Sequence, residues 1–407
     1  MHSQYSLFEL NNGLKTICWQ RNGLVSYIGV AVRAGSRDER ADRQGLAHFV
    51  EHTIFKGTDK RRSWQISNRM EAVGGELNAY TTKEETMIYT NAPSGYEERA
   101  LELMADLVKS SRFPKEEIDR EREVIIEEIY SYLDSPSESV YDEFEELAYK
   151  GSALSHNILG TTESVKEIES MDCREFLDKF YTPGNMVLYC CSPLKPEKVK
   201  ALAEKYFGDM KYPVSTLSRV APPEMQHFDV TKDKGNHQAN TILGARIFGR
   251  DDSRKYALSL LNNYLGGPCM NSRFNYELRE KRGYVYTVDS SISLMSDTGL
   301  FMVYFGSDSS NVEKCRRLIE REIDKLCQSA LSDRNLEKIK RQYCGQLRVS
   351  SDNIESRAMA LGKSILYFGK INDIETITSQ IMEVSQEDFR SVAELIAPAN
   401  CSMLSLR

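Results

Sequence analysis

The chain has 407 residues, of which 41% are hydrophobic and 28% are charged. This balance is typical of a folded globular protein of two or three domains, and it argues against disorder. The formal net charge of −7 gives no support for a nucleic-acid partner, because phosphate binding needs a basic surface.

Cysteine usage and the N-terminal residues bear on the cellular compartment. The nine cysteines include no C-x-x-C pair, which favours a reducing compartment and no disulfide framework. Met1 to Leu10 lack the basic and apolar regions of a signal peptide. No apolar run approaches the roughly eighteen residues of a membrane span. We therefore expect a cytoplasmic protein without a membrane partner.

Strands and helices alternate through the first half of the chain. A hairpin is predicted from Leu7 to Trp19 around an Asn-Asn-Gly turn, and a further strand from Val25 to Arg33. Hydrophobic periodicity then predicts a helix over 64–73, strands over 76–82 and 85–92, helices over 96–111 and from 113 onward, a strand over 186–191 and a helix over 196–207.

The same order recurs after residues 213–225, a proline-containing stretch that is typical of a linker. Strands are predicted near 226–230, 238–245, 284–292 and 300–305, and helices near 253–265, 312–326 and 333–349. Residue 113 then corresponds to residue 331, an offset of 218 residues. The repeat predicts an α+β fold of two tandem homologous units, a domain 1–212 and a domain 226–407, each a mostly antiparallel sheet packed with helices.

One short segment holds the most informative residues of the chain. His48-Phe-Val-Glu51-His52 places two of the six histidines four residues apart in a helix-compatible, apolar stretch. On a helix such positions share one face, so both imidazoles can reach one metal ion. Glu51 points to nearly the same side, and a carboxylate beside a metal can take a proton from bound water. This H-x-x-E-H pattern predicts a zinc site.

The offset of 218 residues indicates whether the second half repeats that site. The positions that correspond to the motif hold Gly266, Cys269 and Met270. None of them is a histidine or an acid, so the second half has lost the ligand set. We therefore expect one Zn²⁺ per chain, held by the first half.

A third protein ligand is needed, because a catalytic zinc usually has three such ligands and a water. His156 is a candidate, although it lies in a predicted loop. On the acidic helix that follows residue 113, Glu121 and Glu128 lie on the flank of the apolar face, whereas Glu127 points toward solvent. A half-buried carboxylate needs a compensating partner, which a cation supplies. The pattern favours Glu128, with Glu121 in support; the alternative is a salt-bridged pair of acids at the helix edge.

H-x-x-E-H is the reverse of H-E-x-x-H and marks inverzincins. The chain resembles the pitrilysin family of zinc metallopeptidases, which includes insulin-degrading enzyme and mitochondrial processing peptidase. Glu121-Arg-Glu-Val-Ile-Ile-Glu-Glu128 matches the family's E-R-x-V-I-x-x-E segment, at the family's distance from the second histidine. The resemblance implies that Glu128 is the third metal ligand and that Glu121 is the additional glutamate that supports metal binding and catalysis.

Two more segments extend the resemblance over the whole chain. Asn78, Ala79 and Tyr80 lie in a segment similar to the family's active-site strand, whose edge pairs with the substrate backbone. Arg279 and Tyr286 match the arginine–tyrosine pair that binds substrate and stabilises the tetrahedral intermediate. Judged without the resemblance, the strand with Asn78 is equally consistent with a purely structural role, whereas an arginine and a tyrosine near a turn favour a structural role.

The resemblance implies a zinc-dependent endopeptidase that hydrolyses peptides or unfolded segments inside a closed chamber, with Glu51 as general base. Short family members form half of a clamshell and pair, so that the arginine and tyrosine face the zinc of the other subunit. A homodimer with two composite sites is therefore implied, and a heterodimer with a homologue stays open. The other interpretations are a catalytically silent binding or assembly subunit, a zinc hydrolase of small non-peptide substrates, and a structural zinc site.

Overall fold

The computed structural model describes residues 5–211, 217–329 and 331–407. Within these ranges the chain forms a mixed α+β structure with two sheets in two compact units. This confirms the predicted fold class. No helix among the described residues combines the length and the apolar character that crossing a membrane requires; the cytoplasmic location stays a prediction.

Each strand and helix predicted up to residue 349 is present, with its ends shifted by a few residues. The strands are β1 (Tyr5–Glu9), β2 (Lys15–Gln20), β3 (Val25–Val32), β4 (Glu76–Thr81), β5 (Thr86–Pro93), β6 (Met186–Ser192), β7 (Asp229–Lys232), β8 (Ala239–Ile247), β9 (Val285–Leu294), β10 (Gly299–Ser307) and β11 (Ser402–Leu406). The helices are α1 (Leu46–Thr53), α2 (Ser63–Glu71), α3 (Glu97–Ser110), α4 (Lys115–Leu133), α5 (Pro136–Ala148), α6 (Thr162–Lys166), α7 (Ser170–Phe180), α8 (Pro196–Phe207), α9 (Lys255–Gly266), α10 (Val312–Gln328), α11 (Asp333–Ser350), α12 (Ile354–Phe368), α13 (Ile374–Glu383) and α14 (Gln386–Leu395).

Both sheets are mostly antiparallel, as the repeat predicted. The first has the strand order β1-β2-β6-β3-β5-β4, and the second has the order β7-β11-β8-β10-β9. One parallel pair occurs among the described strands of each sheet, β2 with β6 and β7 with β11. Strand β4 is therefore an edge of the first sheet and β9 an edge of the second.

The two compact units are not contiguous in sequence. The first unit contains the described residues of Met1–Ile129, His156–Arg219 and Ser351–Asp373, and the second unit contains those of Tyr130–Ser155, Val220–Ser350 and Ile374–Arg407. The predicted domains 1–212 and 226–407 thus differ from these units by two exchanged segments. The first segment carries α5 and the second carries α12.

Packing of apolar helix faces explains the exchange. Ala358, Leu361 and Ile365, which lie on one face of α12, are buried against the first sheet together with Tyr189. A Cβ on Gly362 would lie 2.8 Å from the Tyr189 ring, so this close approach needs glycine. Helix α5 packs in the same way on β8 and β11 of the second unit. Periodicity predicts that such a helix has a buried face, but it does not identify the sheet that covers it.

Part of the predicted linker 213–225 is a packed segment. Residues 213–216 lie outside the described residues. Arg219 belongs to the first unit, where its Nε and one terminal nitrogen donate to Asp38 at 2.9 and 2.8 Å. The Arg219 side chain is only 8% exposed. Residue 219 is therefore anchored in the first unit rather than free between two domains.

Candidate metal centre

Helix α1 carries the H-x-x-E-H motif, and its N-terminus is fixed by contacts from outside the helix. The carboxylate of Glu39 accepts hydrogen bonds from the backbone N–H groups of Gly45 and Ala47, at 2.9 and 2.7 Å. These N–H groups have no partner within the helix, so a carboxylate there stabilises it. Gly45 has φ 88°, and a Cβ at this position would lie 2.6 Å from the Leu159 carbonyl oxygen. Sequence patterns gave no indication of the role of Glu39.

The apolar face of α1 sets the direction of the motif side chains. Phe49, Val50 and Ile54 are fully buried in the core of the first unit. Helix α1 packs there against α7 and β4. The two motif histidines consequently lie on the side of the helix that is next to α4.

His48, His52 and Glu128 converge on one point. The Oε2 atom of Glu128 lies 3.8 Å from His48 Nε2 and 3.5 Å from His52 Nε2. One ligand atom from each of the three residues lies within 4.8 Å of the others. A tetrahedral zinc with bonds of about 2.0–2.2 Å separates its ligand atoms by roughly 3.4 Å, so small side-chain movements bring all three to coordinating distance.

A buried polar atom beside this point supports a bound group. Among the described residues, Glu51 Oε2 is buried without a hydrogen-bond partner. Buried polar atoms are nearly always paired with protein or water. A donor set of two imidazoles and a carboxylate suits zinc, so the residues present fit the metal that the motif predicts.

The competing candidates for third ligand lie elsewhere. Neither Glu127 nor His156 belongs to the cluster found among the described residues. Glu128 is the least buried of the three cluster residues, with a side chain that is 43% exposed. The structure therefore brings together the residues that the spacing favoured, and their assignment as metal ligands stays a prediction.

Burial shifts the pKa values of His48, which belongs to the cluster, and of Glu51 beside it. Desolvation lowers the pKa of His48 to about 3, and the neighbouring His52 adds to the effect. The His48 imidazole is therefore neutral at neutral pH, which is the form that binds a metal. Desolvation also raises the pKa of Glu51, against hydrogen bonding from Thr81. A carboxyl group with a raised pKa is better suited to accept and return a proton.

Glu121 lies behind the cluster, in contact with His52. Its Oε2 atom is 3.3 Å from His52 Nδ1, and its side chain is 11% exposed. Accepting the Nδ1 proton leaves the Nε2 lone pair of His52 directed at the cluster. Lys56 Nζ lies 2.7 Å from the other Glu121 oxygen. Lys56 was not predicted, although its position four residues after His52 is a signal that could have found it.

The predicted substrate strand is β4, an edge of the first sheet among the described strands. Register with β5 places Asn78 opposite Tyr89, so Asn78 and Tyr80 share one face while Ala79 lies on the other. Asn78 is exposed, and its Oδ1 atom accepts the Ala79 N–H at 2.9 Å. Tyr80 lies under Lys363 of α12, with the ammonium 5.1 Å from its ring centroid. Among the described strands β4 pairs with β5 alone, and the use of its other edge by a substrate stays a prediction.

Arg279 and Tyr286 lie in the second unit. Arg279 is exposed on a π-helical turn, Asn275–Glu280, and Gly283 adopts φ 64° three residues after this turn ends. Tyr286 is 69% exposed on the edge strand β9. The register of β9 with β10 skips Tyr286, so this residue is the extra one of a β-bulge. Bulges redirect side chains and are frequent beside functional sites.

The second unit contains a contact between two positions that correspond to residues of the motif region, but without metal ligands. Gln346 on α11 lies 218 residues after Glu128, and its Nε2 atom donates to Cys269 Sγ at 2.8 Å. Cys269 occupies the position that corresponds to Glu51. The repeat inferred from sequence therefore recurs as a spatial contact, between a thiol and an amide in place of metal-binding groups.

Comparison with known families assigns both parts of the chain. Residues 18–162 match the family described as insulinase, peptidase family M16. Residues 168–343 match the family described as the peptidase M16 inactive domain. The first match contains His48, His52 and Glu128, and the second contains the region in which no equivalent ligands occur.

Similar proteins cover nearly the whole chain. An uncharacterized zinc protease of Bacillus subtilis is 30% identical over 366 residues, which are 90% of this chain and 89% of that protein. One of Streptomyces coelicolor is 32% identical over 375 residues, or 90% of this chain and 81% of that protein. A solved protease from Helicobacter pylori has a TM-score of 0.90 at 22% identity and covers 99% of both chains. A peptidase M16 inactive domain from Pseudomonas fluorescens has a TM-score of 0.91 at 20% identity, with 99% and 97% covered.

Proposed function

Since the chain belongs to the insulinase family of M16 peptidases, we propose that it is a zinc-dependent endopeptidase that cleaves peptides or unfolded segments. The observation that carries the proposal is the convergence of His48, His52 and Glu128 beside the half-buried Glu51. The zinc proteases among its relatives support a peptidase role. One Zn²⁺ per chain follows from the single cluster in the part of the chain that the structure describes.

The residues of the site divide the chemistry of hydrolysis between them. A zinc ion held by His48, His52 and Glu128 would supply a Lewis acid and a water of lowered pKa. The Glu51 carboxylate accepts the proton of the attacking water and passes a proton to the leaving amine. Glu121 holds the ring of His52 through Nδ1. The free edge of β4 presents backbone groups that can align an extended peptide beside Glu51.

Arg279 and Tyr286 complete the proposed site as donors to the oxygen that becomes negative during attack. We propose that the protein acts as a homodimer in which these residues serve the metal site of the other subunit. The family resemblance and the exposure of both side chains support this arrangement. Two-fold dimers are the commonest oligomers of soluble proteins.

Mixing two inactive variants tests the dimer. Glu51→Gln and Arg279→Ala homodimers should each be inactive. A mixed dimer then contains one site with both residues intact only if Arg279 acts across the interface. Recovery of activity after mixing and re-equilibration supports the composite site, whereas continued inactivity shows that both residues must lie on one chain.

A peptide-library digest with and without a chelator tests the proposed function. We expect endoproteolytic cleavage that the chelator abolishes and that added zinc restores. Zinc binding without cleavage would instead favour a silent binding or assembly subunit. Cleavage of small esters or amides but no peptides would favour a hydrolase of non-peptide substrates. Activity that is indifferent to the chelator would contradict the metal-dependent mechanism.

A further inference from the structure

We propose that Lys56 is a positioning residue of the metal centre, which holds Glu121 in the orientation that fixes His52. The inference rests on the proposed function of the cluster as a zinc site. It assigns a role to a residue outside the H-x-x-E-H motif and outside the predicted ligand set. It also explains how a lysine comes to lie beside a cluster that is predicted to bind a cation.

The first step is that Glu121 is shared between two partners. Lys56 Nζ lies 2.7 Å from its Oε1 atom, and His52 Nδ1 lies 3.3 Å from its Oε2 atom. The Lys56 side chain is 27% exposed and that of Glu121 is 11% exposed. Each carboxylate oxygen therefore has a different partner, so the direction of the carboxylate is set from both ends.

The second step is that the backbone of Lys56 is itself held in place. Its N–H donates to the carbonyl oxygen of Thr53, at the end of α1, at 3.0 Å. The Ser111 hydroxyl donates to the Ile54 carbonyl oxygen at 3.0 Å, and the Gly57 carbonyl accepts the Arg112 N–H at 2.9 Å. The segment after α1 is therefore attached to the connection between α3 and α4. Lys56 reaches the α4 residue Glu121 from a fixed position.

The third step is the consequence for His52. An ammonium–carboxylate hydrogen bond is shorter and stronger than a neutral one, and a buried carboxylate without such a partner carries a desolvation cost. Without Lys56, the Glu121 carboxylate can rotate toward water and release Nδ1 of His52. The ring then loses both its orientation and the partner that selects the Nε2 lone pair for the metal. Lys56 thus acts on the metal through Glu121.

The alternative is that the Lys56–Glu121 ion pair only stabilises the fold and has no effect on the metal site. Exposed pairs of this kind contribute little and are tolerant of substitution. The two interpretations predict different zinc affinities and different ligand-field geometries for a Lys56 variant. A contribution to fold stability alone would change neither.

The experiment compares zinc affinity in Lys56→Met, Lys56→Arg and Lys60→Met, measured by chelator competition on the purified full chain. Lys60 is an exposed lysine of the same segment, so its variant is the matched control. Loss of contacts to a ligating histidine typically costs 10–100-fold in metal affinity. We expect Lys56→Met to weaken zinc binding about tenfold and to alter the visible absorption of the Co²⁺-substituted protein. Lys56→Arg should restore most of the affinity, and Lys60→Met should leave it unchanged.

A double-mutant cycle with Glu121→Gln keeps the proposal testable if single variants also lose stability. If Lys56 acts through Glu121, Lys56→Met should cause no further loss of zinc affinity in the Glu121→Gln background. Additive losses, or a Lys56→Met protein with wild-type zinc affinity and Co²⁺ spectrum, would overturn the inference. Failure of the wild-type protein to bind zinc would instead overturn the proposed function itself.

Discussion

Replacing Arg219 by methionine should destabilise the first unit by about 3 kcal/mol, because it leaves the buried carboxylate of Asp38 without its charged partner. The two side chains are 8% and 4% exposed and are joined by two parallel hydrogen bonds of 2.9 and 2.8 Å. Arg219 also lies 3.2 Å from Glu84. Glu84 retains a second partner in the variant, because it also forms an ion pair with Arg37 at 2.6 Å. Breaking a buried pair from one side costs about 3–5 kcal/mol. The lower end applies, since Asp38 retains the hydrogen bond from the Gly35 N–H at 3.1 Å.

Arg40→Met is the matched control. Arg40 and Asp42 form the same two-bond geometry, at 3.1 and 2.8 Å, but their side chains are 57% and 56% exposed. An exposed pair contributes little to stability, so this variant should unfold almost as the wild type does. Both tryptophans, Trp19 and Trp64, lie in the first unit, so their fluorescence during urea denaturation follows that unit alone.

Comparing the two variants shows whether burial or hydrogen-bond geometry determines how much such an ion pair contributes to the free energy of unfolding. A large downward shift of the urea midpoint for Arg219→Met, with little shift for Arg40→Met, is the expected result. Equal shifts would refute the reasoning, because the pairs share their geometry and differ in exposure. A small shift for Arg219→Met alone would show that residue 219 belongs to a mobile linker in solution.

Three further outcomes follow from the metal site and its surroundings. Glu128→Gln should weaken zinc binding by at least tenfold, whereas the adjacent Glu127→Gln should not; equal losses by chelator competition would remove Glu128 from the ligand set. Tyr286→Phe should lower kcat with zinc content unchanged, since it deletes a donor that acts on the transition state; an unaltered kcat would exclude that role. Free zinc at about 100 times its Kd should stabilise the first unit by about 2.7 kcal/mol, and tryptophan fluorescence that shows no stabilisation would mean that the folded state does not bind zinc selectively.

The sequence predicted the repeat and the strands because their signals are local. Alternation, turns and capping residues act over a few positions, so the hairpin around Asn11 and Asn12 and the helices on both sides of residue 331 could be located. The exchange of α5 and α12 depends on contacts between residues far apart in the chain. The β-bulge at Tyr286 likewise depends on the register with a partner strand, which periodicity does not determine.

The predicted ligand set was based on the helical pattern of α4. This pattern indicates which side of the helix is apolar, but it gives no distances to other elements. The pattern places Glu121 and Glu128 on the same flank of α4, yet one is buried and the other is 43% exposed. Glu121 lies beside His52 and Lys56, whereas Glu128 lies beside His48 and His52. These contacts between residues far apart in the chain require the tertiary structure.

The zinc content and peptidase rate of Glu51→Gln, measured on one preparation beside the wild type, test the central claim most directly. The account predicts one zinc per chain in both proteins and a loss of at least about 100-fold in turnover, the range expected for removing a general base. Retained proteolysis, or loss of the metal together with the activity, would contradict the role of Glu51 as the base beside an intact metal site.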